Sequence, residues 1–353
     1  SAAGQLGLAT SPLTVSTNAL PNIMLLVDTS GSMEALIEHE SYTGSSVGTQ
    51  EWAYRSGNSW LLISQNQGYL SPSNISQSTC SFGFKRFQQV ERDQFGNAVL
   101  NGIDSCLRLV EVPELGASNT RYAQGYLNFL LNNFPDGTDL NLGQIPTDYR
   151  MNVAREVAKD IIEGTNINNV QRAKFGLASF QSIADGAIIN AECGADNISL
   201  TTTINTFTAN TATPLAEALY EVTRYFRGMS GYYGANALLN YTSPIQYRCQ
   251  KNFTIVITDG FPTADSQFPN NDPADIANTG ASLPNWDGVP ATRGSDTTKG
   301  DYPDYPQYSD GWAGTNSSGN SSAASTSEEA ATLYLDDIAL FGKSIDMKPD
   351  GDE

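Results

Sequence analysis

The sequence predicts an α/β fold of the doubly wound, Rossmann-like type, with a mostly parallel central sheet, helices on both faces and two large insertions. Three observations lead there. Short apolar runs, NIMLLV and later NFTIVI, are bounded by turn residues and read as strands buried on both faces. Amphipathic stretches at helical spacing alternate with such runs, the pattern of an α/β domain. Two segments, 34–146 and 261–325, break that alternation, and the first is too long for a loop inside a compact domain. The expected core is therefore residues 1–33 and 147–353, with 34–146 and 261–325 inserted into it.

The elements follow in order. The start, SAAGQLGLATSPLTVS, is small and polar, as in a mature N-terminus after processing. NIMLLV then runs to Asp28, and Ser30 and Ser32 follow in a Gly-containing turn. Segment 34–146 is rich in Tyr, Trp, Asn, Ser and Gly, with short apolar runs such as WLLIS, and is expected to form its own subdomain, part β. TDYRMNVAREVAKDIIEG (147–164) is the first clear helix, with Met151, Val153/Ala154, Val157/Ala158 and Ile161/Ile162 at helical spacing. Thr147 is placed to cap it and Gly164 to end it. AKFGLASF (173–180) and GAIIN (186–190) read as strands. TPLAEALYEVTRYFRG (213–228) is a second helix: its Pro follows a Thr, and Leu215, Leu219, Val222 and Phe226 share a face. NFTIVITDG (252–260) is another buried strand that ends in Asp-Gly. Segment 261–325 has no helical period and closes on the flexible tract TNSSGNSSAAST. SEEAATLYLDDIALFGKSI (327–345) is a third helix with an acidic first turn.

Charge narrows the function classes. With 38 Asp+Glu against 19 Lys+Arg the chain carries −19, which repels nucleic acid phosphates and anionic lipid. No stretch approaches the roughly 20 apolar residues of a spanning helix, so no membrane insertion is expected. The four cysteines form no C-x-x-C pair, which argues against a zinc ribbon. Their even number and wide spacing fit two disulfides in an oxidising compartment. Three connectivities exist; Cys80–Cys106 with Cys193–Cys249 is favoured because each pair falls within one segment. Four buried thiols are the competing reading.

The strand ends carry the chemistry. In a doubly wound sheet, ligands bind beyond the carboxyl ends of the strands. The loops there would bring together Asp28, Ser30, Ser32, Thr213 and Asp259, all hard oxygen donors. Such a set suits one divalent cation, Mg²⁺, Mn²⁺ or Ca²⁺, over zinc or copper. DTSGS resembles the D-x-S-x-S motif of von Willebrand factor A domains. The Thr-Pro helix start and the TDG after a buried strand follow in the order of the rest of that site. The resemblance assigns the five residues to a metal-ion-dependent adhesion site. There, hydroxyls hold the cation, aspartates act through water, and one position is left for a partner's acidic group.

PLTVSTNALPNIMLLVDTSGSM, TPLAEALYEVTRYF, CQKNFTIVITDGFPTADS and YLDDIALFGKSIDMKPD together look like the N-terminal region of the PilC/PilY family of type IV pilus tip-associated proteins. The family's C-terminal β-propeller is not in this sequence, so the chain reads as an N-terminal fragment. The resemblance implies an extracellular or cell-surface location at the pilus tip. It also implies partners among minor pilins or the tip complex, and a host-cell or surface protein that presents a carboxylate. It allows an alternative: a structural or force-transmitting pilus-assembly domain with a vestigial metal site.

Other features are read more plainly. Trp52, Tyr54, Trp60 and Tyr69 suit a binding surface and core packing equally. DTTKGDYPDYPQYSD (296–310) lacks calcium-loop spacing and reads as a solvated loop, and Lys299-Gly300-Asp301 as a turn. His39 is the single histidine, and neither a G-x-S-x-G elbow nor a Walker-type loop is present, so no enzyme is expected.

Overall fold

A computed structural model describes residues 19–44, 48–64, 68–77, 79–167, 170–181, 186–247, 250–259, 268–269, 271–274, 283, 286, 335–345 and 347. The elements in chain order are β1 (Asn22–Val27), β2 (Glu51–Ser56), β3 (Ser59–Leu62), β4 (Tyr69–Leu70), β5 (Lys85–Arg92), β6 (Ala98–Leu107), α1 (Gly116–Asn119), β7 (Tyr122–Ala123), α2 (Gln124–Asn133), α3 (Arg150–Gly164), β8 (Asn166–Ile167), β9 (Val170–Gln171), β10 (Lys174–Phe180), β11 (Ala187–Ala191), α4 (Asn197–Asn205), α5 (Leu215–Arg227), β12 (Asn252–Ile257) and α6 (Leu335–Ser344).

The fold is mixed α/β. Its principal sheet has the order β11-β10-β1-β12. β1 pairs in parallel with β10 (Asn22 opposite Lys174) and with β12 (Asn22 opposite Asn252), and β11 runs antiparallel to β10. Met24, Leu25, Leu26 and Val27 are fully buried, each contributing about 1.5–3 kcal/mol by leaving water. Their alternation divides them between two cores. Leu25 and Val27 cluster with Ala154, Ala158 and Ile162 of α3 and Leu200 and Ile204 of α4. Met24 and Leu26 cluster with Leu215, Ala218 and Val222 of α5. That division explains why no polar side chain stands between Asn22 and Asp28.

α3 differs in detail from its sequence reading. It starts at Arg150, with Tyr149 as its N-cap residue rather than Thr147, and Thr165 rather than Gly164 forms the C-cap. Its alanines face the core while Val153 and Val157 are exposed. An earlier helix also precedes it: α2, the ten residues QGYLNFLLNN. α5 is buried almost all round. One side meets the sheet. On the other, Ala216 and Tyr220 pack with Phe268, Leu283, Ile338 and Phe341, the last two from α6. The residues before 335 that would form the acidic first turn of α6, and the loop 296–310 with its Lys-Gly-Asp turn, lie outside the described residues.

Segment 34–146 contains a four-stranded antiparallel sheet of order β3-β2-β5-β6, and a disulfide joins Cys80 to Cys106 at the end of β6. Trp52, Phe87, Tyr122, Tyr126 and Leu130 belong to the same buried cluster as Leu25 and Val27. Among the described residues the segment's buried side chains are thus continuous with the core on the α3 face of the principal sheet. Of the four aromatics singled out above, Trp52 is buried, Arg55 and Arg86 lie over Trp60, and Tyr69 is 39% exposed. Entry and exit of the segment are neighbours: Leu36 pairs with Tyr149, and Arg150 N–H donates to Ala35 O at 2.9 Å. Cys193 is a free thiol, and Cys249 lies outside the described residues. Among the described residues no helix is long and apolar enough to cross a membrane.

Candidate functional site

Three loops meet at the carboxyl end of β1. The first is the turn that follows β1. Its Thr29 carbonyl accepts from the amides of Asn210 (2.8 Å) and Thr211 (3.0 Å), and Gly31 N–H donates back to Thr211 O at 3.1 Å. These bonds zip the turn to the second loop, which leads into α5. The third follows β12, whose Ile257 carbonyl takes the Asp28 amide at 2.8 Å. Parallel pairing of β1 with β12 places Asp28 and Thr258 at matching heights beyond the sheet.

Side-chain oxygens and the Ser30 amide then form a connected string. Asp28 is fully buried; its Oδ1 accepts from Ser30 N–H (2.7 Å) and its Oδ2 from Thr258 Oγ1 (2.6 Å). Ser30 Oγ lies 2.9 Å from Ser32 Oγ, and Ser32 Oγ donates to Asp259 Oδ1 at 2.8 Å. Four of the five residues expected at the site are therefore joined directly. Thr213, 6% exposed, stands two residues beyond the Thr211 zipper and directly before Pro214, the N-cap of α5.

Sequence reasoning missed three neighbours. Thr258 was inside the quoted TDG run but received no role. Arg150 Nη1 donates to Asp259 Oδ2, and its Nη2 donates to Glu38 Oε1 at 3.3 Å. A signal for Arg150 did exist. It is a cation at the first residue of a helix, where the dipole disfavours positive charge by typically 0.3–1 kcal/mol, so nearby carboxylates were to be expected.

Burial pushes the Asp28 carboxyl above its ordinary range, against the hydrogen bonds from Ser30 and Thr258. Burial likewise raises Glu38, against the pull of Arg150. For Arg150, burial works against the charged form, but Asp259 first, then Tyr69 and Glu38, outweigh it and hold the guanidinium more firmly protonated.

The donors fit a hard dication. Adjacent ligands of an octahedral Mg²⁺ with bonds of about 2.0–2.1 Å lie about 2.9 Å apart. The Ser30–Ser32 and Ser32–Asp259 spacings of 2.9 and 2.8 Å are those of ordinary hydrogen bonds, and they also lie near that edge. Charge fits as well. Asp28, Asp259 and Glu38 outnumber Arg150, so acidic groups predominate around the hydroxyls. Among the described residues no three His, Cys, Asp or Glu side chains converge as metal ligands, so a cation here would depend on the hydroxyls.

Comparison of the chain with family models, with curated proteins and with solved structures finds no match.

Proposed function

We propose that this chain is an extracellular adhesion module with a doubly wound von Willebrand A core, from the N-terminal region of a PilC/PilY-type pilus tip protein. On this reading Asp28, Ser30, Ser32, Thr213 and Asp259 hold one Mg²⁺, Mn²⁺ or Ca²⁺. The ion supplies a Lewis-acidic position for a carboxylate of the partner. The chain's own part is to keep the hydroxyls together and to orient Asp28 through Ser30 and Thr258. The observation that carries the reading is the unbroken string Asp28–Ser30–Ser32–Asp259 at the carboxyl end of β1. The partner is then a surface protein with an acidic group, or the tip complex itself, and the module supports attachment, pilus biogenesis or surface sensing.

Calorimetric titration of Mg²⁺, Mn²⁺ and Ca²⁺ into the wild-type chain and Asp28→Ala tests the reading. Saturable binding is expected in the first and none in the second; equal heats in both refute it. A second reading, a structural or force-transmitting domain whose oxygen string only clasps three loops, is favoured by the hydrogen bonds that already satisfy Asp28 and Asp259. In cells carrying the full-length protein, Asp28→Ala would then leave adhesion normal and alter pilus number. Lost adhesion with normal pilus number supports the first reading.

A further inference from the structure

We propose that Arg150 is an internal cation that competes with the divalent ion for Asp259 and so sets how tightly the ion is held. The inference rests on the metal-site reading above. Asp259 has two oxygens: Oδ1 accepts from Ser32, on the side of the hydroxyls, and Oδ2 accepts from Arg150. A guanidinium cannot deprotonate to make way for an ion, so its charge stays at the site under all ordinary conditions. An ion drawn to Ser30, Ser32 and Asp259 shares the Asp259 charge with a permanent neighbour of the same sign.

Two features suit Arg150 to this role. Its backbone is fixed, because its N–H donates to Ala35 O at 2.9 Å, so any adjustment is confined to the side chain. Its fork also has a second seat. Nη2 reaches Glu38 at 3.3 Å and Nη1 lies 3.4 Å from Tyr69 Oη, so the guanidinium can yield Asp259 without losing every partner. Glu38 and Tyr69 both belong to segment 34–146, which makes that segment the acceptor of the charge the ion displaces.

Removing the charge is expected to tighten binding about tenfold, the Coulomb repulsion between a dication and a guanidinium about 6 Å apart at the dielectric of water. The experiment is titration of Mg²⁺ and Mn²⁺ into the wild-type chain, Arg150→Gln, Arg150→Lys and Asp28→Ala. Arg150→Gln should bind about tenfold tighter and Arg150→Lys close to wild type. In thermal melts, a fixed Mg²⁺ concentration should then raise the Tm of Arg150→Gln more than that of wild type. Arg150→Gln binding equal to or weaker than wild type overturns the competition while leaving the metal site standing. No binding in either wild type or Arg150→Gln, or binding that survives Asp28→Ala, overturns the metal site itself. A readout in the unmutated chain keeps the proposal falsifiable if Arg150→Gln does not fold. Saturating Mg²⁺ should increase modification of Arg150 by phenylglyoxal, read by peptide mass spectrometry against the other arginines. Unchanged or reduced modification overturns the proposal.

Discussion

Replacing Asp272 with asparagine removes one negative charge from a pocket built around two arginines. Asp272 is fully buried. Its carboxylate takes Arg227 through both nitrogens, at 2.8 and 3.0 Å, and also accepts from Tyr220 Oη and from Ala274 N–H at 2.9 Å. Arg224 lies 3.7 Å away. The Arg227 side chain is only 6% exposed, so the substitution leaves a buried cation without its counter-charge. Loss of one partner of a buried pair costs about 3–5 kcal/mol. With a urea m-value of about 3 kcal/mol/M, the unfolding midpoint should fall by about 1 M or somewhat more. The dependence on pH has a definite sign. Burial alone would raise the Asp272 carboxyl, but Arg227, Tyr220 and the Ala274 amide outweigh it and hold it below the ordinary 3.8. A depressed carboxyl stabilises the fold above its unfolded value and loses that contribution as pH falls through its folded value. The gap between wild type and Asp272→Asn should therefore be full at neutral pH and close progressively below about pH 3.8. A midpoint shift under about 0.3 M at pH 7 would match an exposed ion pair and refute the reasoning.

If the ion enters with Ser30, Ser32 and Asp259 kept at their present spacings of 2.9 and 2.8 Å, Mg²⁺ and Mn²⁺ should bind tighter than Ca²⁺, whose bonds of about 2.3–2.6 Å need wider edges. Ser32→Ala should abolish that preference together with most of the affinity; calorimetry showing Ca²⁺ as the tightest ligand would contradict it. For the cysteines, non-reducing peptide mapping should return Cys80–Cys106 intact, and Cys80→Ser/Cys106→Ser should cost about 3 kcal/mol by loop entropy over the 26-residue separation. The same map tests the Cys193–Cys249 link expected from the sequence against the free thiol that Cys193 shows in the structure. A Cys193 that alkylates fully without reductant would exclude that link.

Much of the principal sheet was legible because its signals are local. β1 and β12 are apolar runs with no competing helical period, although β12, read as buried on both faces, lies at the sheet edge and is only partly buried; α5 carries its own punctuation, a Thr-Pro start and Gly228 in the left-handed conformation that ends it. α4 was illegible for the opposite reason. NISLTTTIN is rich in β-branched residues that favour strands, and what fixes the helix is Asp196, whose carboxylate caps it by accepting from Ser199 N–H at 2.9 Å, with Leu200 and Ile204 buried below. α2 was hidden by its three asparagines. Asn132 and Asn133 each satisfy their side chains on the carbonyl four residues back, and Asn128 reaches across to the carbonyls of Ile63 and Ser64, which no local pattern could show. Within the site, the residues of the string were legible as oxygen donors at element ends. The pairing of Arg150 with Glu38 and Asp259 was not, since a cation at a helix start names no partner and their meeting depends on how segment 34–146 returns to the core.

That return ties the site to the segment more closely than their separation along the chain suggests. The turn that carries Ser30 and Ser32 runs straight on into residues 35–37, which are held from both sides. Leu36 N–H donates to Arg121 O and Ile37 N–H to Asp148 O, each at 2.9 Å. Glu34 pairs with Arg121 at 2.7 Å, and Arg150 then bridges Glu38 to Asp259. A displacement of Ser32 by even a fraction of the 2.8 Å that separates it from Asp259 must therefore be taken up by a backbone already bonded to the entry, the interior and the exit of segment 34–146. With each such bond contributing about 1 kcal/mol, local loosening of the turn alone is disfavoured, and the turn and the segment's base move together or stay. Any ligand that changes the seating of Ser32 or Arg150 would then be felt first at Glu38 and Tyr69, on the segment.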